Sequence, residues 1–365
     1  MKPRGPAQTG VGAAARRAMG RLAGVVDSVA MQAMTRAFSR GKPRRGPEDR
    51  RAQIDAMIAV YGDPRLLAEP ERYFVPPGAP AVEQRVESRD AGAGTEVVDL
   101  AFRSAFVPYH APYRDEYLAL REVHTVHGRM WRTRTPRPTA ILLHGWGGGN
   151  YWIEERAFAV RWLTRIGLDV VLLQLPFHGR RVPPGMPAGA FPSPHVMRTN
   201  EAFAQAVSDV RALTGWLLSR GAPAVGVAGM SLGGYTTALV STLDDRLAFA
   251  VPMIPAVDFA DLLWRHGESS PARKRAEEAG VQKHHLEALF RVHSPLARPP
   301  RVAAARRLIV AGEGDRICPP DHAERLRVHW DGCAIHWFPG GHLAQVGRGA
   351  GFRAVRRLLV DTGVL

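Results

Sequence analysis

The sequence predicts an α/β fold: a doubly wound, mostly parallel sheet with helices on both faces and a small helical cap inserted late in the chain. Three observations predict it. From Thr139 onward, short continuous apolar runs alternate with helical stretches, the pattern of strands buried on both faces. The chain has 365 residues, 45% of them hydrophobic, enough for one large domain with a full-sized core. Charged residues make up 23%, which sets aside a disordered chain.

In chain order, residues 1–50 form a basic leader, partly helical or disordered. Within it Met19, Leu22, Val26, Val29 and Ala33 recur at helical spacing, and Arg17, Arg21, Ser28 and Thr35 fall on the opposite face. Such a helix can lie on a membrane surface, pack on the body of the protein or fray. KPRRGPEDRR reads as a linker. Residues 51–95 form an extension: a short helix (RRAQIDAMIAVYGDP), then a Pro-rich connection. Residues 96–365 are the main domain. VVDLAFRSAF and EYLALREVHTVHGRMW read as strand or mixed segments. TAILLHGW is an apolar run ending in a glycine loop, NYWIEERAFAVRWLTRIG a helix, LDVVLLQLPFHG a buried strand. MRTNEAFAQAVSDVRALTGWLLSRG is a long helix with Gly221 at its end. The strand AVGVAGMS, the helix GYTTALVSTL and the strand LAFAVPMI follow. Residues 257–300 are a charged helical insertion, the expected cap, carrying Phe259, Leu262, Leu263, Trp264, Leu286 and Phe290. RRLIVAGEGD and AIHWFPGGH are the last strands, separated by the helix DHAERLRVHW, and RAVRRLLVDTGV closes the chain as a helix.

Net charge is +15, and residues 1–51 carry twelve basic against three acidic residues. Such charge attracts nucleic acid or anionic lipid, or reflects an arginine-rich composition. No nucleic-acid-binding motif of the usual kinds is present, so nucleic acid is not an expected partner. Cys318 and Cys333 form neither a disulfide framework nor a metal pattern, which points to a reducing, cytoplasmic setting. No run approaches the ~18 apolar residues of a membrane span. LAGVVDSVAMQAM is broken by Asp27 and Gln32 and fails as a secretory signal.

The chemistry centres on Gly229-Met230-Ser231-Leu232-Gly233, between an expected strand and an expected helix. A tight turn there lifts the serine oxygen above the sheet edge. The residues two before and two after are crowded together, so both must be small. A nucleophilic serine needs N–H donors aimed at the oxyanion that forms on attack. The expected donors are Leu232, the next residue, and Trp146, in the strand-end loop LLHGWGGG. Asp315, in LIVAGEGDRICPP, is the expected carboxylate that orients a histidine, with Glu313 as its competitor two residues earlier. His342, in WFPGGHLAQV, is the expected general base, because a loop after the last strand can bring it to the serine.

The order Ser231, Asp315, His342, with the HG loop ahead of all three, resembles the α/β-hydrolase superfamily over about residues 100–365. GGNYW and LLQLPFHGRRVPPG look like the abhydrolase-domain-containing group numbered eighteen and its bacterial relatives. The resemblance implies Ser231 as nucleophile, His342 as base and then acid, Asp315 as orienter, and Trp146 and Leu232 as oxyanion donors. It implies no cofactor and no metal. Dehalogenases of this superfamily use an acidic nucleophile and dienelactone-type enzymes a cysteine, and Ser231 fits neither. Propeller-bearing oligopeptidases need a longer N-terminal part.

The expected function is therefore hydrolysis of a carboxylic ester or thioester through an acyl-enzyme, on a small-molecule or lipid-like substrate. Peripheral membrane contact through the basic N-terminal helix is a further expectation. An acyltransferase with the same triad and a non-catalytic binding module of this fold are the alternatives. Around the site, Arg180 or Arg181 is expected to meet an anionic or lipid head group or solvent. Tyr151 and Trp152 are expected to line the acyl pocket or to pack. Cys318 is expected as a small buried hydrophobe, and His284 and His285 as surface residues.

Overall fold

The computed structural model describes residues 10–39, 47–90, 94–268 and 270–365. Nine strands form one sheet in the order β1-β2-β3-β5-β4-β6-β7-β8-β9. They are β1 (Glu83–Asp90), β2 (Thr95–Arg103), β3 (Thr125–Thr133), β4 (Thr139–Leu143), β5 (Asp169–Leu173), β6 (Val225–Met230), β7 (Ala250–Met253), β8 (Leu308–Gly312) and β9 (Ala334–Phe338). β1 to β3 form an antiparallel meander, β3 pairs antiparallel with β5, and every other pairing is parallel. β4, β5, β6, β7 and β8 are buried at every residue, which is why they read as unbroken apolar runs.

The registers put the functional loops at one edge. Leu143 pairs with Leu173 on one side and with Gly229 on the other, Met230 with Met253, and Gly312 with Phe338. The chain leaves β4 for β5 on one flank and then crosses to β6 on the other. Such a reversal opens a crevice at the carboxyl ends of the strands. The segments after β4, β6, β8 and β9 all emerge at that edge.

The long helix Val196–Ser219 is buried along most of its length, including Asn200, Glu201, Gln205 and Asp209. Each of these polar groups is satisfied. Glu201 accepts from the Tyr61 hydroxyl of α2 (Pro47–Tyr61) at 2.7 Å, and from the Tyr109 and His110 N–H groups. Asn200 donates to the Leu289 carbonyl at 3.0 Å, which ties down the inserted helices. Asp209 takes the Arg181 guanidinium at 2.7 Å, while the same guanidinium donates to the Val123 and Gln174 carbonyls. Arg181 is fully buried, so it clamps the core and does not meet a head group.

Several segments differ from the sequence-based reading. NYWIEERAFAVRWLTRIG is two helices, Tyr151–Ala157 and Val160–Arg165, broken at Ala159, whose φ is 51°. The break turns both Phe158 and Val160 into the core. EYLALREVHTVHGRMW divides into the end of the helix Ala111–Leu118, a 3₁₀ turn and β3. The insertion after β7 is helical as expected: Phe259–His266, Pro271–Glu278 and Lys283–Phe290. His284 is exposed, but His285 is buried, its Nδ1 accepting from the Gln282 N–H at the start of its own helix. Of the expected linker, residues 42–46 lie outside the described residues, and residues 47–51 instead begin the helix Pro47–Tyr61, whose first turn holds Glu48 and Asp49, acidic residues that favour a helix N-terminus.

The N-terminal segment forms a helix, α1 (Gly10–Ser39), and it packs on the body of the protein. The packed face is not the apolar one. Arg16, Gly20, Ala23, Gly24 and Asp27 face the protein, and Leu22, Val25, Val26 and Val29 point outward, Leu22 being 71% exposed. Glycines on the packed face let the helix backbone come within van der Waals distance of other backbone, which Leu and Val would prevent. The side chains of Arg17, Ala33 and Thr35 lie outside the described residues.

Arg181→Ala strands Asp209 in the core without its cation. The expected cost is about 3–5 kcal/mol, read as a lower urea midpoint at unchanged slope. A midpoint equal to that of the wild type contradicts the clamp.

Candidate active site

Ser231 follows β6 at a reversal of the chain. Its φ of 56° and ψ of −111° lie outside the regions a serine ordinarily occupies. The conformation is held from both sides. Its N–H donates to the Met253 carbonyl at 3.0 Å, and its own carbonyl accepts from the Tyr235 N–H at 2.9 Å. A methyl on Gly233 would collide with the Leu143 carbonyl, and one on Gly229 with the Gly233 carbonyl. The two glycines therefore permit the close approach of the helix Leu232–Val240 to β4 and β6. Leu232 opens that helix, where backbone N–H groups lack intrahelical acceptors.

The loop after β4 lies beside the serine: a Cβ on Gly145 would stand 3.5 Å from the Ser231 Cβ. His144 organises this loop. Its Nε2 accepts from the Leu175 N–H at 3.1 Å, so the proton sits on Nδ1 and is donated to the Gly145 carbonyl at 2.7 Å. Burial pushes the His144 pKa down to about 3, which keeps the ring neutral. Gly149 is fixed from both ends, its N–H donating to Glu154 and its carbonyl accepting from the Gln174 side-chain amide at 2.7 Å. Trp146 donates its indole N–H to the Gly189 carbonyl at 2.7 Å. His144, Glu154 and Gln174 thus support the candidate oxyanion loop. They were legible only as polar residues inside or just after apolar runs.

Asp315 and His342 meet across two loops. His342 Nδ1 lies 2.8 Å from Asp315 Oδ2, while Asp315 Oδ1 accepts from the Ile317 and Cys318 N–H groups at 2.9 and 2.7 Å. Both side chains are buried. Glu313, the competing acid, instead pairs with Arg16 of α1 at 2.6 Å and is 41% exposed. Burial acts to lower the His342 pKa, but the charge and hydrogen bond of Asp315, together with the neighbouring Cys318, outweigh it and hold the imidazolium well above the usual 6.5. The Cys318 thiol is buried, and burial pushes its pKa up against the opposing influence of nearby His342 and Ser231. Cys318 is therefore buried as expected, but near the candidate triad.

Other expected contacts fall elsewhere. Arg180 pairs with Asp99 at 3.3 Å. Trp152 is 65% exposed under the Arg156 guanidinium, and Tyr151 sits beneath Arg129. Among the described residues, Asp261, Asp321 and His322 form the one grouping with metal-ligand spacing. Its charge is already met by Lys283, 2.6 Å from Asp261, and by Arg265, 2.7 Å from it.

The family model described as alpha/beta hydrolase domain containing 18 matches residues 73–262, more than half of the chain. The chain belongs to this family. The match takes in the HG loop and Ser231. A model of the prolyl oligopeptidase family matches residues 201–329, which hold Ser231 and Asp315. An uncharacterized protein of Mycobacterium tuberculosis (strain H37Rv) is 31% identical over 323 residues, covering 86% of this chain and 75% of that protein. Among solved structures, acetyl xylan esterase from Paenibacillus sp. R4 superposes with a TM-score of 0.58 at 14% identity, covering 90% of this chain and 98% of that one. Acetyl xylan esterase 1 from Thermoanaerobacterium sp. JW/SL YS485 superposes at 0.52 with 18% identity, covering 89% and 98%. At these identities the likeness shows the fold, which is that of the α/β-hydrolases.

Two of the buried histidines of this α/β-hydrolase, His342 and His144, should have midpoints shifted to opposite sides of the usual 6.5. Followed by imidazole NMR, His342 should keep its proton well above pH 6.5, and Asp315→Asn should lower that midpoint. His144, with a pKa of about 3, should stay neutral across the same range. Because the folded value of His342 is raised, the stability from its contact with Asp315 is complete below the unfolded pKa. It is lost as pH rises through the folded one. A His342 midpoint at or below 6.5 contradicts the pairing.

Proposed function

We propose that this α/β-hydrolase cleaves carboxylic esters or thioesters through an acyl-enzyme on Ser231. The observation that carries the reading is the contact of Asp315 with His342 at the edge where the strained turn presents Ser231. In this reading the Ser231 oxygen attacks the acyl carbon and its proton passes to His342 Nε2. Asp315 holds the Nδ1 proton and stabilises the imidazolium. The Leu232 and Trp146 N–H groups take the developing oxyanion. His342 then protonates the leaving alcohol or thiol, and a water deprotonated by the same ring releases the acid. The high pKa of His342 places the reactive, neutral base on the alkaline side of pH 6.5.

The structural neighbours named as acetyl xylan esterases support an ester as substrate. A lipid-like acyl group is supported by apolar side chains left exposed around this edge. Leu343, next to His342, is 54% exposed, and Trp146 in the HG loop is 36% exposed. The outward Leu22, Val25, Val26 and Val29 of α1 extend that surface and support peripheral contact with a membrane. No helix among the described residues is long and apolar enough to cross one.

A fluorophosphonate probe should label the wild type and not Ser231→Ala, and His342→Ala should be labelled far more slowly. Turnover of p-nitrophenyl esters should follow the same order, with the best chain length sizing the acyl site. Sedimentation with anionic vesicles should weaken in Val25→Asp. A wild type that neither labels nor turns over any ester contradicts the catalytic reading and favours a binding module.

A further inference from the structure

α1 is exposed along its apolar face, yet it carries one fully buried carboxylate. Asp27 is 0% exposed and accepts three hydrogen bonds, all from backbone N–H groups. Its Oδ2 accepts from His342 at 2.7 Å and from Arg316 at 3.1 Å, and its Oδ1 accepts from Leu343 at 3.0 Å. These donors belong to two loops that lie far from Asp27 in sequence. One contains the candidate acid, Asp315, immediately before Arg316. The other contains the candidate base itself.

The surrounding residues are shaped for this contact. Gly20 lies against Gly314 and the Pro339 carbonyl, Gly24 against Arg316 and the Gly314 carbonyl, so α1 sits directly on both loops. A Cβ on Gly341 would stand 2.6 Å from Asp27 Oδ2. Arg16 reaches past the same interface to Glu313 and to the Trp337 carbonyl. A buried carboxylate is costly unless its oxygens are filled by donors. Here the filling fixes the spacing between the loops.

We propose that Asp27 is a positioning residue: it clamps the Asp315 loop to the His342 loop from outside the sheet, so that α1 completes the catalytic geometry. The inference rests on the triad reading above. His342 is then held by two carboxylates with separate tasks. Asp315 takes its ring nitrogen and sets the tautomer. Asp27 takes its backbone N–H and sets where the ring starts from. The Gly314 N–H also joins the loops, donating to the Gly340 carbonyl at 3.0 Å, and Asp27 adds a brace next to the candidate acid and base themselves. When the ring gains and loses its proton during turnover, the backbone contacts to Asp27 stay in force.

The test compares full-length wild type, Asp27→Ala, Asp27→Asn and Ser231→Ala for the rate of fluorophosphonate labelling, for kcat and KM on one p-nitrophenyl ester, and for melting temperature. Misplacing the base should slow labelling of folded Asp27→Ala roughly ten- to hundredfold and lower kcat with little change in KM. Asp27→Asn keeps the shape but sets an amide NH2 against at least one N–H donor, so its rate should fall between the other two. Labelling of folded Asp27→Ala at the wild-type rate overturns the inference and leaves the triad standing, whatever the melting temperature. If Asp27→Ala does not fold, Asp27→Asn at the wild-type rate overturns it in the same way. A wild type that is neither labelled nor active overturns the triad reading and this inference together.

Discussion

The arrangement depends on a backbone crowding: Gly233, in the first turn of the helix Leu232–Val240, lies directly against the carbonyl of Leu143 at the end of β4. No side chain fits between them. That contact brings a helix N-terminus to the sheet edge, forces Ser231 into a left-handed φ and sets the HG loop beside the serine. A serine held this way is costly by about 1–3 kcal/mol. The Met253 carbonyl and the Tyr235 N–H, hydrogen-bonded to its two backbone groups, hold it there. The place of this candidate nucleophile is thus a consequence of packing between regular elements.

The remainder of the edge is organised by buried polar groups, each hydrogen-bonded to neighbouring loops. His144 and Gln174 hold the HG loop to the loop after β5, and Glu154 holds it to the helix Tyr151–Ala157. Asp315 uses one oxygen on its own loop and the other on His342. Asp27 accepts three backbone hydrogen bonds, all from the two loops beside it. In each case the desolvation of the group is offset only in one geometry, which makes these groups effective at fixing loops.

Much of this was legible in the sequence. The unbroken apolar runs marked β4 to β8, because strands covered on both faces leave no polar alternation. The G-x-S-x-G and HG loops carried their own steric reason. The choice of Asp315 over Glu313 rested on position, and the contact of Asp315 with His342 and of Glu313 with Arg16 gives it a geometric basis. The face of α1 that packs was not legible. Periodicity marks the larger apolar residues, but Leu22, Val25, Val26 and Val29 are left outside because small residues allow closer contact with loop backbone. Asp27 looked only like an interruption of an apolar stretch. Arg181 looked like a loop cation, because nothing local announces that Asp209 will be buried opposite it.

The most direct test of the account is a crystal structure of the protein after reaction with a phosphonate ester. The account predicts phosphorus bonded to Ser231 Oγ. The phosphoryl oxygen should accept from the Leu232 and Trp146 N–H groups, and the His342 ring should lie beside the ester oxygen. Phosphorus on Cys318 Sγ, or an unmodified Ser231 in a protein that has consumed the reagent, would contradict it.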